Sequence, residues 1–293
     1  MFDSFHQNPD LPMRVVMLGY GARPGVLDAA KQLRAMLPDW VDLVESDFFG
    51  EKNLDSVKAD LAIVLGGDGS ILHAVHQMGY HQLPVIAVNI GRLGFLANAQ
   101  LDDIPRVLDD CRNGRVKILE SLMFECDVIR DDRIIKSRLG LNEVTVQNSN
   151  YSITEVDLYV DDELVTGYRC DGLIISSPIG STAHSLSAGG PILQNNLEAF
   201  VVCPMSPHTL THRPVIDSAD RVYEVAVTGA RDETAVVVDG RFLVDLQKND
   251  RVRIRKADVR FLQVTVSGHS YYRTLREKLG WSGRLKLDEE NQN

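Results

Sequence analysis

Along the first third of the chain, apolar positions form short continuous runs separated by segments of helical spacing. Arg14–Leu18 (RVVML), Val41–Val44, Leu61–Leu65 (LAIVL) and Val85–Ile90 read as buried strands. Between them, Gly25–Leu37 sets Val26, Ala29, Ala30, Leu33 and Leu37 on one helical face. Ser70–Met78 does the same with Ile71, Ala74, Val75 and Met78, and Leu101–Asn113 predicts a further helix. Strands without polar alternation, separated by helices, predict a parallel sheet covered on both faces. From about residue 115 the period changes to two. Phe124–Arg130, Glu143–Gln147, Glu155–Val160, Val222–Val227 and Ala235–Val238 alternate. The acidic pairs Asp131-Asp132 and Asp161-Asp162 read as solvated hairpin tips between such strands. Tyr271–Leu285 regains helix-forming character.

The fold class that follows is α/β plus all-β. A Rossmann-like parallel α/β N-terminal domain precedes an antiparallel β-sandwich-like domain, and a C-terminal helix returns to the first domain. The boundaries are drawn at 1–118 with 266–293 for the α/β domain, and 119–265 for the β domain.

Composition narrows the function. The chain has 293 residues, enough for two domains, with 44% hydrophobic and 25% charged residues, which excludes a disordered or fibrous protein. Forty-one acidic against 31 basic residues give a net charge of −10, which argues against a nucleic-acid partner. Cys111, Cys126, Cys170 and Cys203 lie far apart without a CxxC pair, so neither a disulfide scaffold nor a zinc ribbon is expected. His208 and His212 are bracketed by Pro207 and Pro214 and lack the HExxH context of a zinc pair. Trp40 and Trp281 read as packing residues. The N-terminal segment has acidic residues and no apolar core, unlike a secretory leader, and no apolar run is long enough to span a bilayer. A cytoplasmic protein without a membrane partner is expected.

Two glycine clusters follow strands. Gly19-Tyr20-Gly21-Ala22-Arg23-Pro24-Gly25 is an imperfect dinucleotide fingerprint, with its third glycine one residue late and Glu45 where a ribose-binding acid would stand. A plain strand-to-helix turn is the alternative. Leu65-Gly66-Gly67-Asp68-Gly69-Ser70 is more informative. Its glycines expose backbone N–H groups at a strand–helix junction, where an anion such as a polyphosphate is favoured. No Walker lysine follows. Asp68 is placed to take a proton from a hydroxyl or to hold a metal ion, unless it only caps the helix. The segment Asp171–Ile192 opens as a strand and becomes a run of hydroxyl and glycine residues, whose hydroxyls and N–H groups are expected to face a polar ligand.

These segments together resemble the NAD kinase family. The marks are Gly66-Gly67-Asp68-Gly69, Gly91-Arg92-Leu93-Gly94-Phe95-Leu96, Asn142-Glu143, the Asp171–Ile192 segment and Pro207-His208-Thr209-Leu210. The resemblance implies transfer of the γ-phosphoryl group of ATP, or of a polyphosphate phosphoryl, to the adenosine-ribose 2′-hydroxyl of NAD. It implies Asp68 as general base and Gly66, Gly67 and Gly69 against the donor phosphates. On the NAD side it implies Asp68, Gly69, His73, Phe95, Asn142, Glu143, Arg169 and Asp171. Thr182, Ala183, His184, Ser185, Leu186 and Ser187 would line the same ligand. A divalent ion, Mg²⁺, is expected to screen the donor phosphates, and a homotetramer or homodimer is implied. Ile179, His184 and Arg241 depart from the family's usual Thr, Tyr and Gln. The rival readings are a lipid or sugar kinase with the same glycine loop, an NAD(P)-dependent oxidoreductase built on Gly19–Gly25, and a nucleotide-sensing module without turnover.

Overall fold

The computed structural model describes residues 11–281, apart from residues 55, 92–93, 98, 149–152, 230–233 and 267–269. In chain order the first region contains β1 (Met13–Gly19), α1 (Val26–Met36), β2 (Val41–Asp47), β3 (Leu61–Leu65), α2 (Asp68–Met78), β4 (Val85–Val88) and α3 (Ile104–Arg112). The second contains β5 (Lys117–Arg130), β6 (Arg133–Gly140), β7 (Glu143–Asn148), β8 (Thr154–Val160), β9 (Glu163–Cys170) and β10 (Gly172–Ser176). After the short helix α4 (His184–Ser187) come β11 (Ala199–Met205), β12 (Val215–Ser218), β13 (Tyr223–Val227), β14 (Thr234–Val238), β15 (Arg241–Asp245) and β16 (Arg251–Thr265), and last α5 (Tyr271–Leu279).

Strands β2-β1-β3-β4 form a parallel sheet. Its inner strands β1, β3 and β4 are almost wholly apolar and buried because helices cover both faces, whereas the edge strand β2 carries Asp42, Glu45, Ser46 and Asp47. Helices α1 and α3 pack on one side through Val26, Leu33, Val107 and Leu108. Helix α2 packs on the other through Ile71, Ala74, Val75 and Met78. The chain leaves β1 toward β2 on one flank and returns to β3 on the other. The carboxyl ends of β1 and β3 therefore flank a crevice where the strand order reverses, the usual ligand position in such sheets. Both glycine clusters lie there, with Gly19 paired to Leu65 across the two strands.

The second region is a sandwich. One layer, β12-β11-β10-β7-β14-β15, is wholly antiparallel. The other comprises β5, β6, β8, β9, β13 and β16. Phe124, Val146, Ile175, Phe200, Tyr223 and Val252 belong to the apolar core between them. The two regions share a sheet, since the far end of β16 pairs in parallel with β4 at Gln263 and Val85. The acidic pairs do form tight hairpin tips, with positive φ at Asp131, Asp132, Asp161 and Asp162, as two-residue turns require. Helix α5 lies at the junction. Tyr271 donates to the Leu193 carbonyl at 2.8 Å, and Lys278 sits 5.8 Å over the Phe95 ring in the first region. Residues 282–285 of the expected terminal helix lie outside the described residues. Trp40 is half-buried under the Arg112 guanidinium, whereas Trp281, expected to pack, is exposed.

Candidate active site

The loop after β3 begins with Gly66 at φ +134, a conformation open to glycine, and its N–H donates to the Val88 carbonyl of β4. The N-cap of α2 is Gly67, not Asp68, and no side chain caps the helix. The Asp68 carboxylate instead crosses to the loop after β4. It accepts the N–H of Phe95 at 2.9 Å and of Leu96 at 3.0 Å, one on each oxygen. Gly94 permits this approach, because a Cβ there would overlap the carboxylate. Each Asp68 oxygen keeps a lone pair for a ligand hydroxyl or a metal ion. Arg92 and Leu93 of the same motif lie outside the described residues.

Asn142 and Glu143 open β7. The third member of this unit is Asp239, at the tip of the β14–β15 hairpin with φ +49. Its carboxylate accepts three consecutive N–H groups, from Leu141 (2.8 Å), Asn142 (2.7 Å) and Glu143 (3.1 Å). His76 Nε2, two turns along α2 from Asp68, lies 3.0 Å from the same carboxylate. Asp239 thereby fixes the start of β7 to the hairpin and to α2. Glu143 is 6% exposed, and burial, reinforced by Asp239, pushes its carboxyl up to about 8, against a lowering hydrogen bond from the His184 N–H. Asn142 Oδ1, Glu143 Oε2 and Ser185 Oγ are buried without a hydrogen-bond partner. Unsatisfied buried acceptors of this kind mark where a polar ligand docks.

In the first part of the hydroxyl-rich segment, residues 176–182, the hydroxyls turn to the backbone. Ser176 Oγ donates to the Ser177 carbonyl, Ser177 Oγ to Leu141, Ser181 Oγ to Pro178 and Thr182 Oγ1 to Ile179. These hydroxyls serve the protein's own backbone, which in a tight turn without regular pairing needs local partners. Gly180 lies on the Asn142 backbone so closely that a Cβ would overlap its carbonyl. The segment is a brace under Asn142. Ile179 points into the apolar core around α2, so its missing hydroxyl removes nothing from the site.

Other candidates sit apart. His73 Nδ1 lies 2.8 Å from Arg241 Nη2, and its ring meets Tyr20 edge-on at 5.7 Å. Burial, then Arg241, lowers its pKa. Arg169 pairs with Glu155 at 3.0 Å, and Asp171 is exposed. Both lie at the Gly172 end of β10, while Glu143 pairs with Ser176 at the other end, roughly 13 Å away by strand rise. His184 and Ser187 are exposed and Leu186 half-buried. His212 packs against Tyr168 with tilted rings 4.6 Å apart, and among the described residues no three His, Cys, Asp or Glu side chains form a metal cluster. Asp239, His76, Gly94 and Gly180 have no site role in the sequence reading. The Asp239-Gly240 dipeptide was the available signal, as a turn that bends a carboxylate back onto its neighbours.

Comparison with known proteins places this two-region fold among nucleotide phosphotransferases. A family model described as ATP-NAD kinase N-terminal domain matches residues 48–116, and one described as ATP-NAD kinase C-terminal domain matches 141–266. An NAD kinase of Rhodopirellula baltica is 48% identical over 94% of this chain and 89% of its own length. One of Cupriavidus pinatubonensis is 41% identical over 76% and 73%. The yeast NADH kinase structure, complexed with NADH, shares the fold at TM-score 0.86 and 24% identity over 97% of this chain and 91% of that one. An Archaeoglobus fulgidus NAD kinase structure in complex with ATP superposes at TM-score 0.70 with 26% identity, over 92% and 99%. The chain belongs to the NAD kinase family.

Proposed function

We propose that the protein transfers the γ-phosphoryl group of ATP, or a polyphosphate phosphoryl, to the 2′-hydroxyl of the adenosine ribose of NAD. The observation that supports this reading best is the pairing of a fixed carboxylate, Asp68, with buried unpaired acceptors at Asn142 and Glu143. A ribose offers hydroxyl donors to such acceptors. Asp68 takes the 2′-hydroxyl proton as the new oxygen–phosphorus bond forms and the bond to the leaving phosphate breaks. Gly66, Gly67 and Gly69 receive the donor phosphates, and Gly67 has open space where a Cβ would stand. His73, Phe95 and the Thr182–Ser187 turn complete the NAD side.

The donor set fits a magnesium ion that arrives with the nucleotide. Mg²⁺ is held by one or two carboxylates plus phosphate oxygens, and Asp68 supplies the carboxylate. Bound there, the ion would neutralise charge on the transferring phosphoryl group.

A homo-oligomer, tetramer or dimer, also belongs to this reading. Edge strand β12 exposes Val215 and Ile216, with Leu210 nearly bare beside it. Arg169 and Asp171, remote from their own Glu143, then serve the NAD site of a neighbouring subunit. Four free, buried cysteines accord with a cytoplasmic setting. Among the described residues no helix is long and apolar enough to cross a membrane. Incubation with NAD, ATP and Mg²⁺ tests the activity. NADP is expected, and no product with ATP or polyphosphate would overturn the assignment.

A further inference from the structure

Two features singled out in the sequence have no part in the site so far: the Gly19–Gly25 loop and Arg241. They meet on one face of α2. Arg23 Nη2 lies 3.5 Å from where a Cβ of Gly69 would stand. Arg241 Nη2 lies 2.8 Å from His73 Nδ1. Gly69 and His73 are four residues apart, hence neighbours on one helix face about 6 Å apart. One guanidinium therefore stands over each of the first two turns of α2, one from the α/β region and one from the sandwich hairpin.

We propose that Arg23 and Arg241 form a two-cation clamp on the polyphosphate chain of the phosphoryl donor. The clamp rests on the reading of the Gly66–Gly69 loop as the donor site. Among the described residues, neither arginine has a carboxylate at ion-pair distance. Arg115, Arg130, Arg253 and Arg260 of the same acidic chain each have one. The carboxylates nearby are already engaged. Asp47 accepts the N–H groups of Phe49, Gly50 and Lys52 and the Gln77 amide. Asp68 and Asp239 accept two and three backbone N–H groups. A cation at a helix N-terminus is opposed by the helix dipole. An anion between the guanidinium and the loop N–H groups removes that opposition.

A further polar group lies at the same loop. Ser70 Oγ, in a residue 1% exposed, has no hydrogen-bond partner and abuts Gly66. His73 accepts from Arg241 at Nδ1, which makes it the neutral Nε2–H tautomer and leaves the Arg241 charge uncancelled. Guanidinium groups bind phosphate oxygens bidentately, so a clamp of this kind reads the phosphate chain and not the base.

The test titrates Mg-ATP and inorganic tripolyphosphate calorimetrically into the wild type, Arg23→Gln and Arg241→Gln, with thermal midpoints to confirm folding. Each variant is expected to weaken both ligands by at least about tenfold, to a similar extent, and Arg23→Gln, which touches no group of the NAD side, to leave the KM for NAD within about twofold. Donor affinity within twofold of wild type in the folded variants overturns the clamp, as does a loss confined to ATP or, in Arg23→Gln, one that falls on NAD. The outcomes separate the two readings. A wild type that binds tripolyphosphate through these arginines but forms no NADP removes the kinase assignment and keeps the clamp. A wild type that forms NADP while both variants bind donor normally does the reverse.

Discussion

Asp68 and Gly94 are packed so that a β-carbon on Gly94 would overlap the Asp68 carboxylate. The contact ties the glycine loop after β3 to the loop after β4 and fixes the carboxylate that faces the crevice. Gly94→Ala is expected to fold but to push Asp68 off its two N–H donors. Overpacking of this kind costs about 1–3 kcal/mol. NADP formation should fall at least tenfold, with a lowered thermal midpoint. Normal kcat would show that the carboxylate position is not critical.

Asp68→Asn separates chemistry from structure. Asn keeps one oxygen for Phe95 or Leu96 but loses the proton acceptor. Turnover should fall by roughly 10²–10⁴, against a stability loss of about 1–2 kcal/mol from the mismatched N–H. Steady-state kinetics beside a denaturant melt reads both. Near-normal turnover by a folded variant would assign the base elsewhere.

Glu143 makes stability fall as pH rises. Its carboxyl, raised to about 8 chiefly by burial and then by Asp239, holds a proton in the folded state that the unfolded chain releases near pH 4.5. The folded chain thus binds more protons between those values. Its contribution is fully present below about pH 4.5 and is lost by about pH 8. Glu143→Gln removes this dependence. The thermal midpoint of the variant relative to wild type should therefore increase from pH 5 to pH 8, and a constant difference would contradict the assignment.

Asp239→Asn tests the anchor of Asn142-Glu143. Asn tolerates the positive φ at this position, so the substitution isolates the loss of a carboxylate that accepts three N–H groups. A cost of about 2–4 kcal/mol is expected, together with a KM for NAD raised more than that for ATP. Equal effects on the two substrates would make the residue purely structural.

Subunit sharing gives a mixing test. Asp68→Asn and Asp171→Ala chains should each be poorly active alone. Unfolded together and refolded as hybrids, they should regain activity at sites that combine an intact Asp68 with a neighbour's Asp171. No recovery in a verified mixed oligomer would place Asp171 outside the NAD site.

The sequence by itself determined the elements of the parallel α/β region and the change to antiparallel strands after residue 115, though not every strand of the second region. Continuous apolar runs such as Leu61–Leu65 could only be strands buried on both faces, and the period-two segments beyond residue 115 could only form sheets with one inward face. It also pointed to Asp68 as the candidate base, because a carboxylate among three glycines is a local pattern. Strand β9, with Glu163 to Leu164 exposed at an edge, lacked that alternation and was not legible. Nor was the length of β16: its first half alternates, with Val252 and Ile254 inward and Arg251, Arg253 and Arg255 outward beside Glu224 and Glu125, but the register against β5 shifts between Lys256 and Arg260 and breaks the period. What only the tertiary structure decided is which groups remain for a ligand. The serines of the 176–182 turn look free in sequence and are consumed by the backbone. Asp239, about a hundred residues from Asn142, proves to hold it. Hydrogen-bond capacity depends on what folding brings within 3 Å, and local pattern does not record those partners when they lie far apart in the chain.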